Sequence, residues 1–147
     1  LHAYGLDPQG PFKTVMTLRS RIVAERTVQP GERVGYLGAW TADRPTRILT
    51  IASGYGDGVP RSASNKASVL AGGVECPVVG LICMDLLMID ATEAPEAGIG
   101  DQVQIIGPQM HPARWAAWAG SNSPEIVTRI APRVPRRLIN ADWTPKG

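Results

Sequence analysis

The chain has 147 residues, the size of one ordinary domain, and its 44% hydrophobic and 19% charged content excludes an intrinsically disordered polypeptide. Its net charge of +2, spread without a basic run, gives no electrostatic reason to expect nucleic acid or an anionic membrane as a partner. The longest apolar stretch, Val78 to Met84, stops at Asp85 and is far too short for a bilayer span.

With 16 glycines and 13 prolines, about a fifth of the chain, the sequence favours short strands joined by turns over long helices. After a turn-rich opening (Gly5, Asp7, Pro8, Gly10, Pro11), Val15 to Val28 carries Met16, Leu18, Ile22 and Val28 between polar residues. That pattern predicts a half-buried strand, bent or bulged in its middle. Pro30-Gly31 marks a turn, Arg33 to Tyr36 starts a second strand before Gly38, and β-branched Thr46 to Ser53 reads as a third. Gly54 to Pro60 is a loop of high backbone freedom. Ala67 to Leu70 is a short strand, Gly72-Gly73 a hairpin turn, and Val78 to Met84 with Leu86 to Ile89 an apolar strand buried on both faces. Gly98 to Asp101 turns into a strand at Val103 to Ile106. Pro112 to Ala119 is the single expected helix, closed by Gly120, with Trp115 and Trp118 packing on the body of the fold. Glu125 to Ala131 is expected as a last strand. The whole predicts one all-β domain over residues 1–147, a closed or nearly closed β-barrel with one short helix.

Cys76 and Cys83 form no C-x-x-C, and His2 with His111 are too scattered for a zinc cluster, so no metal is expected. Two free thiols fit a reducing cytoplasm. The chain opens at Leu1 without an initiator methionine and shows no secretory signal, which reads as a processed or excised piece.

Polar residues set among glycine-rich breaks carry the chemical interest. Tyr36 stands in Gly35-Tyr36-Leu37-Gly38, Tyr55 in Gly54-Tyr55-Gly56-Asp57-Gly58, and Asp85 interrupts an apolar run. Taken singly, a strand-end tyrosine is usually a rim aromatic, and Asp85 has many arginines to pair with.

Together, however, these segments resemble a known family. Leu1-His-Ala-Tyr-Gly5 is similar to the end of a "GxxxYG" strand, and Gly31-Glu-Arg-Val-Gly-Tyr36 to "GE.VSYG". Gly54 to Arg61 resembles "GYADGYPR", Pro77 to Asp85 "PIVGRICMD", and Pro132 to Arg136 the closing "PRVPR". The order and spacing are those of the C-terminal β-domain of the alanine racemases, pyridoxal-phosphate enzymes. The resemblance implies an N-terminal (β/α)8 barrel, absent from this chain, that binds pyridoxal 5'-phosphate through a lysine. It also implies a homodimer in which the C-terminal domain of one subunit completes the barrel site of the other, with a small amino acid as substrate. The cofactor would act as the electron sink for a carbanion at Cα.

By the same resemblance Tyr36 is the catalytic tyrosine, exchanging a proton opposite the barrel lysine. A free phenol titrates near ~10, so such a base needs cationic neighbours, which the family supplies from the barrel. Tyr55, Arg61 and Asp85 match substrate-entrance residues, the Met84 backbone N–H a contact to the substrate carboxylate, and the Leu1 backbone amide a contact to the cofactor phosphate.

Three departures bear on substrate choice: Pro124 stands where the family has a tyrosine that positions the cofactor, Val59 replaces an aromatic, and Leu81 replaces an arginine. Lys13, Lys66 and Lys146 lie in no cofactor-binding motif and read as solvated. Two other readings stand beside the first. One is a racemase of another or broader range of amino acids, motivated by Val59 and Asn122. The other is a free-standing β-barrel binding module like those of translation factors. Arg133, Arg136 and Arg137 fit either a dimer interface or a solvated basic tail.

Overall fold

The computed structural model describes residues 14–139, so Leu1, the turn-rich opening, Lys13 and Lys146 lie outside the described residues. In chain order the elements are β1 (Leu18–Val28), β2 (Arg33–Val34), β3 (Trp40–Thr41), β4 (Thr46–Ile51), β5 (Ser68–Ala71), β6 (Val74–Pro77), β7 (Leu87–Asp90), β8 (Gln102–Ile106), α1 (Pro112–Ala119) and α2 (Ser123–Thr128).

The alternating segment after Val15 becomes the long strand β1, and it serves two neighbours. Its first residues pair antiparallel with β8 and the rest, from Ile22 to Val28, with β4. The register shifts between Ile22 and Ala24, which is the expected bulge; it turns the strand so that one length of chain can belong to both sides of a curved sheet. The sheet runs β6-β5-β8-β1-β4-β7, and the bridge between Val78 and Ile89 brings its two edges together. A nearly closed barrel results, with β2 and β3 as a separate two-stranded ribbon.

The interior is filled from every strand of the large sheet. Ile22, Leu49, Ile51, Val69, Leu87, Ile89, Val103 and Ile105 are all essentially solvent-free. Each such side chain contributes about 1.5–3 kcal/mol when removed from water, so the apolar positions of the strands are the main source of the fold's stability. Ile48, on the other face of β4, joins Val28, Val34, Ala42 and Val79 in a second, smaller cluster under the ribbon.

Two expectations need correction. Glu125 to Ala131 is not a strand: Ser123–Thr128 is the helix α2. The β-branched run Val127-Thr128 favours extension, but Asn122 caps the helix by accepting the Glu125 N–H at 3.0 Å, and Pro124 sits in the first turn, where its missing N–H costs nothing. Nor is Val78 to Met84 a continuous strand. After Val78 the chain leaves the ladder at Gly80, whose φ of +80° lies in the left-handed region, and it re-enters only at Leu87. The segment is irregular because it packs beneath other loops rather than beside other strands. Helix α1 forms as expected, with the His111 side chain accepting from the Ala113 N–H and Gly120 closing it at φ +67°.

Candidate functional site

Three loops meet at one end of the barrel. The first follows β2: Gly35, at φ +81°, leads into a tight turn over Tyr36–Gly38 in which Leu37 itself adopts φ +59°. A branched residue in that region is strained, and the Arg33 side chain holds the turn by donating to the carbonyls of Leu37 (3.2 Å) and Gly38 (3.1 Å). Tyr36 is thereby left projecting, 66% exposed.

The second is the glycine-rich loop Gly54 to Gly58, which lies directly on the irregular segment 83–84. The Tyr55 N–H donates to the Cys83 carbonyl (2.9 Å) and the Gly56 N–H to that of Met84 (2.8 Å). A Cβ on Gly54 would stand 2.2 Å from the Cys83 carbonyl oxygen, so only glycine permits this approach. Asp57 closes the loop by accepting the Gly54 N–H at 3.0 Å.

The third carries Arg61, on a single turn over Arg61–Ala63. Ser64 fastens it to the irregular segment, its hydroxyl donating to the Arg61 carbonyl (2.6 Å) while accepting the Ile82 N–H (2.9 Å). Asn65, at φ +57°, does the same over a longer reach: it accepts the Gly80 N–H and donates to the Ala39 carbonyl, joining the Tyr36 turn to the Gly80 turn.

Between these loops is a cleft of about 400 Å³ lined by Tyr36, Tyr55, Arg61, Leu81, Ile82, Cys83 and Met84. Four of the six residues singled out in the sequence therefore share one concavity. Asp85 does not line it; its carboxylate accepts from Arg133 at 2.6 Å. Leu1 lies outside the described residues. Sequence reading missed Arg33, Ser64 and Asn65, which act on backbone carbonyls and amides and leave no motif; only the tolerance of asparagine for positive φ was a signal.

The departures also find their places. Val59 is buried in the main core and Asn122 is the cap of α2, so neither shapes the cleft. Leu81 does line it, putting an aliphatic side chain where the family pattern has an arginine. Pro124 belongs to the first turn of α2. Arg133 pairs within its own chain, with Asp57 as well as Asp85, and Arg136 donates to the Ile130 carbonyl. The hydrogen bonds that Arg133 donates to Asp85 and Asp57 hold its pKa above its ordinary value.

No lysine lines the cleft, and exposed Lys66 is the only lysine among the described residues. Two phenols and a guanidinium are a donor set suited to a polar anionic ligand beside them rather than to its covalent anchoring. Among the described residues no three His, Cys, Asp or Glu side chains are grouped to hold a metal, and no helix is long and apolar enough to cross a membrane.

A nearly closed β-barrel carrying a tyrosine-lined cleft at one end defines the class of domain. The family described as "Alanine racemase, C-terminal domain" matches residues 15–138. The alanine racemase of Chromohalobacter salexigens is 43% identical over 146 residues, covering 95% of this chain and 40% of that relative. The biosynthetic alanine racemase of Pseudomonas aeruginosa superposes with a TM-score of 0.85 at 35% identity, over 92% of this chain and 40% of that one. The alanine racemase of Bartonella henselae, solved with covalently bound pyridoxal phosphate, superposes with a TM-score of 0.86 at 35% identity, over 92% and 39%. The chain belongs to the alanine racemase family, as a C-terminal domain of that kind, and it spans about 40% of the length of the relatives it matches.

Proposed function

We propose that this chain is the single C-terminal β-domain of an alanine racemase and completes a site whose other half lies on an N-terminal barrel, in a homodimer. The observation that carries this reading is the convergence of Tyr36, Tyr55, Arg61 and Met84 on one cleft in a chain of this family. Pyridoxal phosphate, held by a lysine of that barrel, supplies the electron sink that makes the Cα proton of alanine removable.

Within this chain the Tyr36 hydroxyl takes and returns the proton on one face of Cα. Its exposure leaves it able to reach a partner surface. The Met84 backbone N–H is directed to the substrate carboxylate, since a fixed main-chain donor orients an anion without a mobile charge. Tyr55 and Arg61 flank the entrance, and Asp85 supports it through Arg133. Leu1 would add a backbone N–H to the cofactor phosphate. A second reading, a racemase for a broader range of amino acids, is favoured by Leu81, which takes a charge away from the cleft wall.

The test joins this chain to the N-terminal part of the Chromohalobacter salexigens relative, with pyridoxal phosphate added. Racemisation of alanine is expected only with both parts present. Tyr36→Phe should lower the rate by about 10²–10⁴-fold while the cofactor absorbance persists. An unchanged rate in both directions rejects the assignment of Tyr36, and kcat/KM compared for alanine, serine and lysine decides between the two substrate ranges.

A further inference from the structure

We infer that Arg133 is a positioning residue that locks the Tyr55 loop onto the Met84 segment, and that Gly56 provides the space this lock requires. Its kinetic consequence rests on the racemase reading above; the lock itself is read from geometry. The Nε of Arg133 donates to Asp57 at 2.8 Å and its Nη2 to Asp85 at 2.6 Å. Asp57 belongs to the glycine-rich loop, whose turn it closes through the Gly54 N–H, and Asp85 follows Met84 directly. One planar guanidinium therefore ties together the two segments that bring Tyr55 and Met84 to the cleft, with its donors in a fixed fork that a lysine ammonium does not reproduce.

Arg133 is delivered to this place by a fixed backbone. The Ala131 N–H donates to the Asp57 carbonyl at 3.1 Å, and Val134 packs against the main core. A Cβ on Gly56 would stand 2.5 Å from Arg133 Nη2 and 3.0 Å from the Met84 carbonyl oxygen. The family motif that this loop resembles, "GYADGYPR", has alanine there, where this chain has Gly56. Both ion pairs are partly solvated, and exposed pairs of this kind add little to global stability. Their effect is local: they restrict the loops bearing Tyr55 and Met84 relative to each other, and with them the width of the cleft.

Amide hydrogen exchange on the 147-residue chain tests the lock without any cofactor. Arg133→Gln and Gly56→Ala are expected to speed exchange at Tyr55 and Gly56 by about tenfold while the β4 amides keep their rates. Arg133→Lys should restore protection only in part. Unchanged protection at Tyr55 and Gly56 overturns the proposal, as does equal acceleration in β4, which would mark general loosening. In the two-part enzyme, Arg133→Gln should raise KM for alanine about fivefold with kcat within about twofold, the mark of lost positioning at the binding step. A fall in kcat at constant KM overturns that consequence. If the wild-type assembly does not racemise, the racemase reading fails and the exchange rates alone decide the lock.

Discussion

At the scale of single residues, burial decides what chemistry is open. Cys76 lies in the core at 1% exposure, and burial first, then the charge of Asp90, pushes its thiol up to about 11. The unfolded chain ionises this thiol near pH 9, whereas the folded chain holds the proton to about pH 11. Between those values the native state binds more protons than the unfolded state, so stability falls as pH rises through the window. The loss attributable to Cys76 is on the order of 2 kcal/mol, and urea melts at pH 8 and pH 11 should show it for the wild type and not for Cys76→Val. Cys83, by contrast, lies on the cleft wall, so the two free cysteines of this chain have different surroundings despite their identical side chains.

At the scale of elements, capping and a few polar ties determine where apolar segments settle. Helix α1 is docked by Trp115, which is fully buried and donates its indole N–H to the Ile105 carbonyl at 2.6 Å on β8. Trp118 meets Trp115 edge-on at 5.6 Å and carries the Arg114 guanidinium over its ring, while Arg114 also pairs with Glu75 on β6. Trp115→Phe removes the indole N–H that the Ile105 carbonyl accepts and leaves a void where the five-membered ring was, so it should cost about 1–3 kcal/mol. An unfolding midpoint shifted at constant m value would register that loss. Helix α2 carries the complementary lesson: the Asn122 cap and the prolyl first turn outweigh the strand preference of the valine and threonine that follow.

For the whole molecule, the decisive contact is the closure of the sheet. Val78 bridges to Ile89, and the Val79 N–H donates to the Met88 carbonyl at 2.9 Å, so the edge after β6 meets β7. Ile89 is fully buried and belongs both to this seam and to the core. Ile89→Ala should destabilise by about 2–5 kcal/mol through lost burial and the cavity left behind. Chemical denaturation would show it, and faster exchange in β7 and at Val79 would locate it at the seam. The same closure holds the irregular segment 80–86 under the loops that carry Tyr36, Tyr55 and Arg61, so stability of the barrel and shape of the cleft are coupled.

Local patterning is sufficient for much of this. Mostly alternating apolar residues at Met16, Leu18, Ile22 and Val28 marked β1, Pro112 and Gly120 bounded α1, and the glycine spacing around Tyr55 marked a loop that must pass close to another surface. These features depend on neighbours within a few residues, which is why they are legible in order along the chain. The Asn-Ser-Pro-Glu start of α2 is a local signal of the same kind, and in the fold it prevails over the β-branched run after it. The pairing of Arg133 with Asp57 and Asp85 is of another kind, because its partners are 76 and 48 residues away. So is the irregular course of 80–86, an apolar run that has the composition of a strand. Hydrophobicity states that such a segment is buried; whether it is buried as a strand or as a loop under other loops depends on which backbone donors and acceptors come within reach, and only the closed barrel decides that.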